Sequence, residues 1–517
     1  MADVLGGFSL ASDLAAGLHP EHGARSCYIG MRLADTLGLS DEDRIALFYA
    51  ELLKDAGCTA YTSQIAALWL ADELVARRDL LFFRDKTNPL DLLTWAAEYV
   101  AADATLGTRA GRILDFLKNG RAAMREGFES TCQTASRIAE RLGMPVAVQQ
   151  ALMHVFDQWD GAGMPALAKG EAIPIVSRIV LVTSFLDVFH RVGGREAAER
   201  VARERRGEAF DPEVVDAFLA AARDEAFWAG LEHERIWDQV LALEPAGSPY
   251  RDVAPSRLDE VAFAFADFAD MKAPHLTGHS RRVAELAERA GRSLSLPEAR
   301  LEGLFRAGLV YDIGLVAVPS FVLAKPHNRL TEAEREQYRL HPYHSQRIIA
   351  RIPAFENLTP AVAAHHERLD GRGYPGGVGA AQISLEARIL GVADRFDTLT
   401  HDTPDGAALP AERAAETLRA EAGMALAPDV VEALLSSLGL PTSAPQRARR
   451  QEPAGLTARE VQVLRLVASG GTRKQVAEAL VVSEGTVRSH LEHIYSKIGV
   501  SNRAGATLFA MEHGLLG

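Results

Sequence analysis

The chain has 517 residues, with 69 Asp and Glu against 56 Lys and Arg, for a formal net charge of −13. That length exceeds what one hydrophobic core holds and points to about three domains, and the acidic balance confines any nucleic-acid contact to a local basic patch. Three scattered cysteines (Cys27, Cys58, Cys132) exclude a disulfide framework. The longest apolar run, Ile173 to Phe189, is broken by Pro174, Ser177, Arg178 and Asp187, which excludes a membrane span. With no basic, apolar, small-residue leader at its start, the chain is expected in the cytoplasm.

From about Leu14 to Leu243 the pattern is helical. Apolar residues recur at helical spacing from Met31 to Leu37, and Gly38 is placed to end that helix. Ser40 is placed as the cap of the next helix, with Asp41, Glu42 and Asp43 in its first turn and Leu53 near its end. No stretch alternates as a strand does. A second helical block, from about Leu258 to Leu440, repeats the first. His22 and His279, and Asp55 and Asp312, stand 257 positions apart. Trp159-Asp160-Gly161-Ala162-Gly163-Met164-Pro165 and Leu369-Asp370-Gly371-Arg372-Gly373-Tyr374-Pro375 stand 210 apart, as do Asp187 and Asp397. Phe210 to Val215 echoes Leu426 to Val431. Ordered matches of this kind mean an internal duplication. The shrinking offset gives the first copy 47 extra residues, around Ser63 to Ser130. Glu244 to Pro249 and the Pro-, Ser- and Arg-rich stretch Pro441 to Arg450 read as linkers.

The copies differ where chemistry would sit. His365, His366 and Asp394 of the second fall on Val155, Phe156 and Ser184 of the first. Imidazole and carboxylate are good ligands for hard or borderline cations, whereas apolar side chains cannot compensate a bare one. Lys54 and Thr131 likewise stand where ligands would be, so the first copy is expected to be inert. His154 is one position out of register and is expected to be structural, and His344 in the second copy is expected at the surface or in packing.

Beyond the second linker, Leu456 to Leu516 reads as a short helical domain. Thr457 and Glu460 have capping-box spacing, and Gly470-Gly471 ends that helix. Thr472 to Leu480 forms a second helix. Ser483 caps a third, Glu484 to Ile498, whose inner stripe is Val487, Leu491, Ile494 and Ile498. Two helices joined by a short turn, the second offering small polar and basic groups near its start, suit a DNA major groove. From Arg447 onward there are ten Lys and Arg against six Asp and Glu, a basic end on an acidic chain.

The second block resembles the HD-GYP proteins, all-helical HD phosphohydrolases that usually hydrolyse cyclic di-GMP at an iron or manganese centre. The resemblance runs through His279-Ser280, Asp312-Ile313-Gly314, Leu340-His341-Pro342, His365-His366-Glu367-Arg368, Asp370 to Pro375, and Val392-Ala393-Asp394. It implies His279, Asp312, His341, His365, His366 and Asp394 as ligands for a divalent metal, Fe or Mn. Two positions depart from the family. Its namesake histidine is Tyr311 here, and the lysine expected to face the phosphate is Leu315, so no catalytic residue is assigned. A phenol with pKa ~10 is a poor ligand for most divalent metals, and leucine cannot neutralise charge developing on a phosphate.

The C-terminal end resembles the LuxR-type helix-turn-helix of the NarL/FixJ group. The resemblance implies phosphate contacts from Arg473, Lys474, Ser483 and Lys497, and contacts to bases or backbone from Thr486, Val487, Arg488 and His490. Gly485 departs from the lysine usual in that group.

The expected fold is therefore all-α: an inert HD-like domain over 10–243, an HD-GYP-like domain with a partial metal site over 256–440, a linker over 441–455, and a four-helix LuxR-type domain over 456–517. The expected function is a DNA-binding transcriptional regulator, homodimeric on double-stranded DNA. Its HD-GYP-like region would sense a small molecule, a cyclic nucleotide or a metal, and would serve dimerisation. The alternative is a metal-dependent phosphodiesterase with a cyclic di-GMP-like substrate, coupled to a DNA-binding domain. No membrane partner is expected.

Overall fold

A computed structural model of the chain describes residues 1–84, 88–102, 104–441, 454, 456–468, 471–480, 482–500, 502–513 and 515. These divide into two compact units, Met1–Pro441 and Thr442–Gly517. Among the described residues there are helices and isolated bridges but no strand, as the absence of alternating segments implies. Among the described residues no helix is long and apolar enough to cross a membrane.

The first unit opens on α1 (Ala2–Ala15), which is apolar on nearly every face and buried along most of its length. A helix of that composition belongs inside a core. The Phe8 ring lies 4.9 Å from Phe265 and 4.8 Å from Phe268, so the helix joins the first copy to the second. Gly7 permits this approach, since a Cβ there would meet Ile352 at 2.9 Å, and Gly6 lets α1 lie against the first copy's own Trp237, whose ring a Cβ would meet at 2.4 Å. The expected domain start at residue 10 thus falls inside a helix.

Next come α2 (His22–Leu37) and α3 (Asp41–Leu53). Gly38 ends the former with φ 62°, and the Ser40 hydroxyl accepts the Asp43 N–H at the start of the latter, as the sequence signals predict. The 47 extra residues account for α4 (Thr62–Trp69), α5 (Glu73–Phe82), α6 (Pro89–Tyr99) and the first turns of α7 (Leu106–Arg141). They bury a small core of their own around Trp69, Trp95 and Phe116. They are also pinned to the second copy. The fully buried Lys272 ammonium donates to Glu73 at 3.1 Å, and the same carboxylate accepts the Ser320 N–H at 2.7 Å.

The first copy closes with α8 (Val146–Met153), α9 (Ile175–Glu204, broken at Gly193 and Gly194), α10 (Pro212–Ala221), α11 (Glu225–Leu231) and α12 (Ile236–Ala242). The stretch Glu244 to Pro249, expected as a linker, is packed instead. The Ser248 side chain is buried and bonds the Tyr49 hydroxyl at 2.6 Å. Both copies then share one continuous hydrophobic core.

The second copy follows with α13 (Leu258–Asp270), α14 (His279–Ser293), α15 (Glu298–Val310), α16 (Ser320–Leu323), α17 (Glu332–Arg339), α18 (His341–Ile349), α19 (Thr359–Ala363), α20 (Leu385–Thr400), α21 (Ala411–Glu421) and α22 (Pro428–Ser437).

The second unit contains α23 (Ala458–Ala468), α24 (Arg473–Leu480), α25 (Glu484–Ile498) and α26 (Arg503–Glu512) around Val463, Leu464, Val487, Ile494 and Ala510. The capping box forms: the Thr457 N–H donates to Glu460 at 2.7 Å and the Glu460 N–H to the Thr457 hydroxyl at 3.2 Å. The Ser483 hydroxyl accepts the Thr486 N–H at 3.1 Å. The expected linker lies outside the described residues except for 441 and 454, and Gly470 lies outside them too.

Candidate metal centre

Each copy buries a histidine at the first position of its second core helix and bonds it to an aspartate from a distant helix. In the first copy His22 Nδ1 lies 2.8 Å from Asp187, and in the second His279 Nδ1 lies 2.6 Å from Asp397. An arginine one turn on completes each pair, Arg25 to Asp187 and Arg282 to Asp397. Residues matched by spacing thus make matching contacts here. The glycine turns are anchored alike as well. The Glu367 carboxylate accepts N–H groups of Gly376, Gly377 and Val378 at 2.6–3.0 Å, and its counterpart Asp157 accepts those of Leu167 and Ala168 at 3.0 Å. This anchoring accounts for a turn that both copies keep irrespective of ligands. His154, expected to be structural, bonds Asp157 at 2.8 Å, and His344 is half-buried.

In the second copy the six expected ligands come together as two groups that share Asp312. One is Asp312, His341, His365 and His366; the other is His279, Asp312 and Asp394. The ligand atoms of each group lie within 4.8 Å of one another. In the first group the ring orientations are set from behind. His341 Nδ1–H donates to the Tyr338 carbonyl and His365 Nδ1–H to the Val362 carbonyl, each at 2.7 Å. Those carbonyls can only accept, so the neutral rings carry lone pairs at Nε2. These lone pairs converge: His341 Nε2 lies 3.2 Å from His365 Nε2, and Asp312 Oδ1 lies 3.2 and 3.4 Å from the two. Buried Asp312 Oδ1 has no hydrogen-bond donor. Acceptors facing one another in a buried place repel unless a cation lies among them. Ligands about 2.0–2.2 Å from a shared ion are spaced roughly 3.0–3.4 Å apart, which is the spacing here. His366 completes the set with its ring stacked on Tyr374 at 4.7 Å. Burial, with His365 and His341 alongside, holds its pKa well below the usual histidine value and so keeps it neutral.

The second group is organised differently. The Tyr311 hydroxyl lies 2.6 Å from His279 Nε2 and donates to Asp394 at 3.0 Å. Burial alone would lower the pKa of His279, but Asp312, Asp394 and Asp397 outweigh it and raise the value well above the ordinary one. In the first copy Lys54 takes the place of Tyr311. Its buried ammonium donates to Glu51 at 3.1 Å, and Glu51 also accepts the Thr183 hydroxyl at 2.6 Å. That copy thus carries its own cation.

The cluster forms one wall of a cavity of about 380 Å³, also lined by Lys325, His327, Arg368, Tyr374 and Arg395. Leu315 lines it too and is almost fully buried. The corresponding cavity in the first copy holds about 60 Å³ and is mostly apolar, with Phe156 and Thr131 in its wall. Sequence reasoning missed Asp397, Tyr338 and Tyr374 as site residues. Asp397 had a signal, its constant offset from Asp187; the two tyrosines had none beyond the turn motif.

In the second unit Arg473, Lys474, Ser483, Thr486 and Arg488 are exposed and His490 is half-buried. One expectation needs correction. Val487, expected at the bases or backbone, is fully buried in the small core because it belongs to the inner stripe of its helix. Lys497, expected at a phosphate, is exposed and donates to Glu460 at 2.7 Å.

An all-helical fold that closes on an Asp-and-histidine cluster of this kind defines the HD class of phosphohydrolase folds. A family model described as "HD domain" matches residues 264–430, and one described as "Bacterial regulatory proteins, luxR family" matches residues 454–510. The 3′3′-cGAMP-specific phosphodiesterase 3 of Vibrio cholerae serotype O1 is 32% identical over 440 residues, covering 85% of this chain and 95% of that protein. A crystal structure of a cyclic GMP-AMP specific phosphodiesterase of V. cholerae superposes with a TM-score of 0.60 at 29% identity, over 85% of this chain and 98% of that one. The cyclic di-GMP phosphodiesterase PA4108 of Pseudomonas aeruginosa is 40% identical over 127 residues, 24% of this chain and 30% of that protein. The chain belongs to the HD-domain family of HD-GYP phosphodiesterases and carries a luxR-type regulatory domain at its C-terminal end. These likenesses favour the phosphodiesterase alternative over the sensing module first expected.

Proposed function

We propose that the chain is a metal-dependent phosphodiesterase for a cyclic dinucleotide of the 3′3′-cGAMP or cyclic di-GMP type, coupled to a DNA-binding domain. The observation that carries this reading is the convergence of Asp312 Oδ1 with His341 and His365 Nε2, spaced as ligands of one ion, beside a cavity with cationic side chains. A divalent ion held by Asp312, His341, His365 and His366 would supply Lewis-acid polarisation of a phosphoryl oxygen and of an attacking water. The chain's own groups do the rest. The Tyr338 and Val362 carbonyls fix the tautomers of His341 and His365, and Tyr374 fixes the plane of His366. Lys325, Arg368 and Arg395 offer the cavity positive charge for a substrate that carries two phosphates, although each also has a carboxylate partner. Tyr374 lines the same cavity.

Purified full-length chain loaded with Mn²⁺ or Fe²⁺ should convert 3′3′-cGAMP or cyclic di-GMP to the linear dinucleotide, and His366→Ala should abolish that product. A second reading is favoured by Leu315, which leaves no lysine where the family has one: a site that binds the nucleotide and transmits its presence without cutting it. Tight nucleotide binding with no linear product would replace the first reading by the second.

For the C-terminal domain we propose that paired copies read two half-sites, with Arg473, Lys474 and Ser483 at phosphates and Thr486, Arg488 and His490 towards base edges. Arg488→Ala should weaken specific binding by about 1–3 kcal/mol at fixed salt. Unchanged operator affinity would remove Arg488 from base reading.

A further inference from the structure

We infer that the centre holds a single metal ion, on Asp312, His341, His365 and His366, and that Tyr311 closes the neighbouring place to a second. The inference rests on the metal reading of the site and not on turnover.

The two ligand groups share Asp312 but differ in what their polar atoms lack. In the first, Asp312 Oδ1 has no donor, and two histidine Nε2 atoms face it at 3.2 and 3.4 Å. That group is incomplete without a cation. In the second, the polar atoms are bonded to one another. His279 Nδ1 is bonded to Asp397 at 2.6 Å, its Nε2 meets the Tyr311 oxygen at 2.6 Å, and the same hydroxyl reaches Asp394 at 3.0 Å. One phenol thus bonds both groups that an ion there would need. Tyr311 is fully buried with its ring against His365 at 4.8 Å, so it has no room to swing aside.

The first copy treats the matching position in another way. Lys54 occupies the matching position, buried, with its ammonium on Glu51 at 3.1 Å and its opposing histidine, His22, held on Asp187. The two copies differ here: Tyr311 bonds the anchored histidine of the second, whereas His22 Nε2 of the first has no hydrogen-bond partner and Lys54 turns to Glu51 instead. The first copy has lost the remaining ligands as well; the second has kept them.

Metal content of the full chain, reconstituted anaerobically with excess Mn²⁺ or Fe²⁺ and desalted, tests the inference by elemental analysis. Wild type should carry one ion per chain, and Mn²⁺ spectra should show the hyperfine pattern of an isolated ion with no exchange coupling. His279→Ala should keep the ion, because His279 is assigned no ligand role, whereas His341→Ala and His366→Gln should lose it. Tyr311→His should raise the content to two and introduce exchange coupling, while Tyr311→Phe should leave it at one. Circular dichroism identifies any variant that has unfolded, and the wild-type stoichiometry decides without variants. Two or more ions on wild type, no ion at all, or loss of the ion on His279→Ala would overturn the inference. A chain with one ion and no hydrolysis would refute the proposed activity and leave this assignment standing.

Discussion

Asp270 illustrates how a single buried group reports on the site it supports. Its carboxylate accepts the Ser280 hydroxyl at 2.6 Å and the Ser280 N–H, just behind His279. Burial raises its pKa to about 6, against partial relief from Ser280. Between about pH 4 and 6 the folded chain therefore binds a proton that the unfolded chain releases, and stability from this group falls as pH rises through that window. A shift of about two pH units corresponds to roughly 3 kcal/mol. Asp270→Asn should thus gain stability relative to wild type as pH climbs from 4 to 7, measured as denaturation midpoints. A constant difference between the two proteins would refute this. At this scale the sequence was legible where ligand-type residues keep recognisable spacing, and all six expected ligands do meet. It was illegible where a role depends on tertiary partners: Tyr338 acts through a carbonyl, which any residue has, and Tyr374 through the face it turns to His366. Val487 shows the opposite error. A position assigned by likeness pointed to DNA, whereas the helical period placed it inside, and the period won.

Among the elements, α5 bears the most on the relation between the copies. It belongs to the extra segment, yet Glu73 reaches across to Lys272 and to the start of α16. Removing one partner of a fully buried pair leaves a charge without compensation, which costs about 3–5 kcal/mol. Glu73→Ala should lower stability by that order in chemical denaturation, and Glu73→Leu combined with Lys272→Met should recover most of it. Equal loss in the single and double variants would place the effect in packing and not in charge. The extra length of this segment was legible from the shrinking offset, and helices could be expected from the overall pattern. Its attachment to the second copy was not, because neither Glu73 nor Lys272 stands out in a sequence that is 24% charged.

On the scale of the whole molecule, the duplication was plain in the sequence but its packing was not. Repeats predict similar folds; they do not say whether two copies keep separate cores. Here α1 lies against α13 and the Glu244 to Pro249 stretch is packed, so Met1–Pro441 forms one compact unit. Calorimetry should show both copies unfolding together, with the C-terminal domain free to give its own transition. Separate transitions for the two copies would contradict the shared core.

The position of α1 also bears on how the chain is made. Its partners include α18, more than three hundred residues further along. At synthesis rates of about 5–20 residues per second, this greasy segment waits on the order of tens of seconds for its final seat. Until the second half leaves the ribosome, the face of α1 that meets Phe265 and Phe268 has only the first copy to pack against.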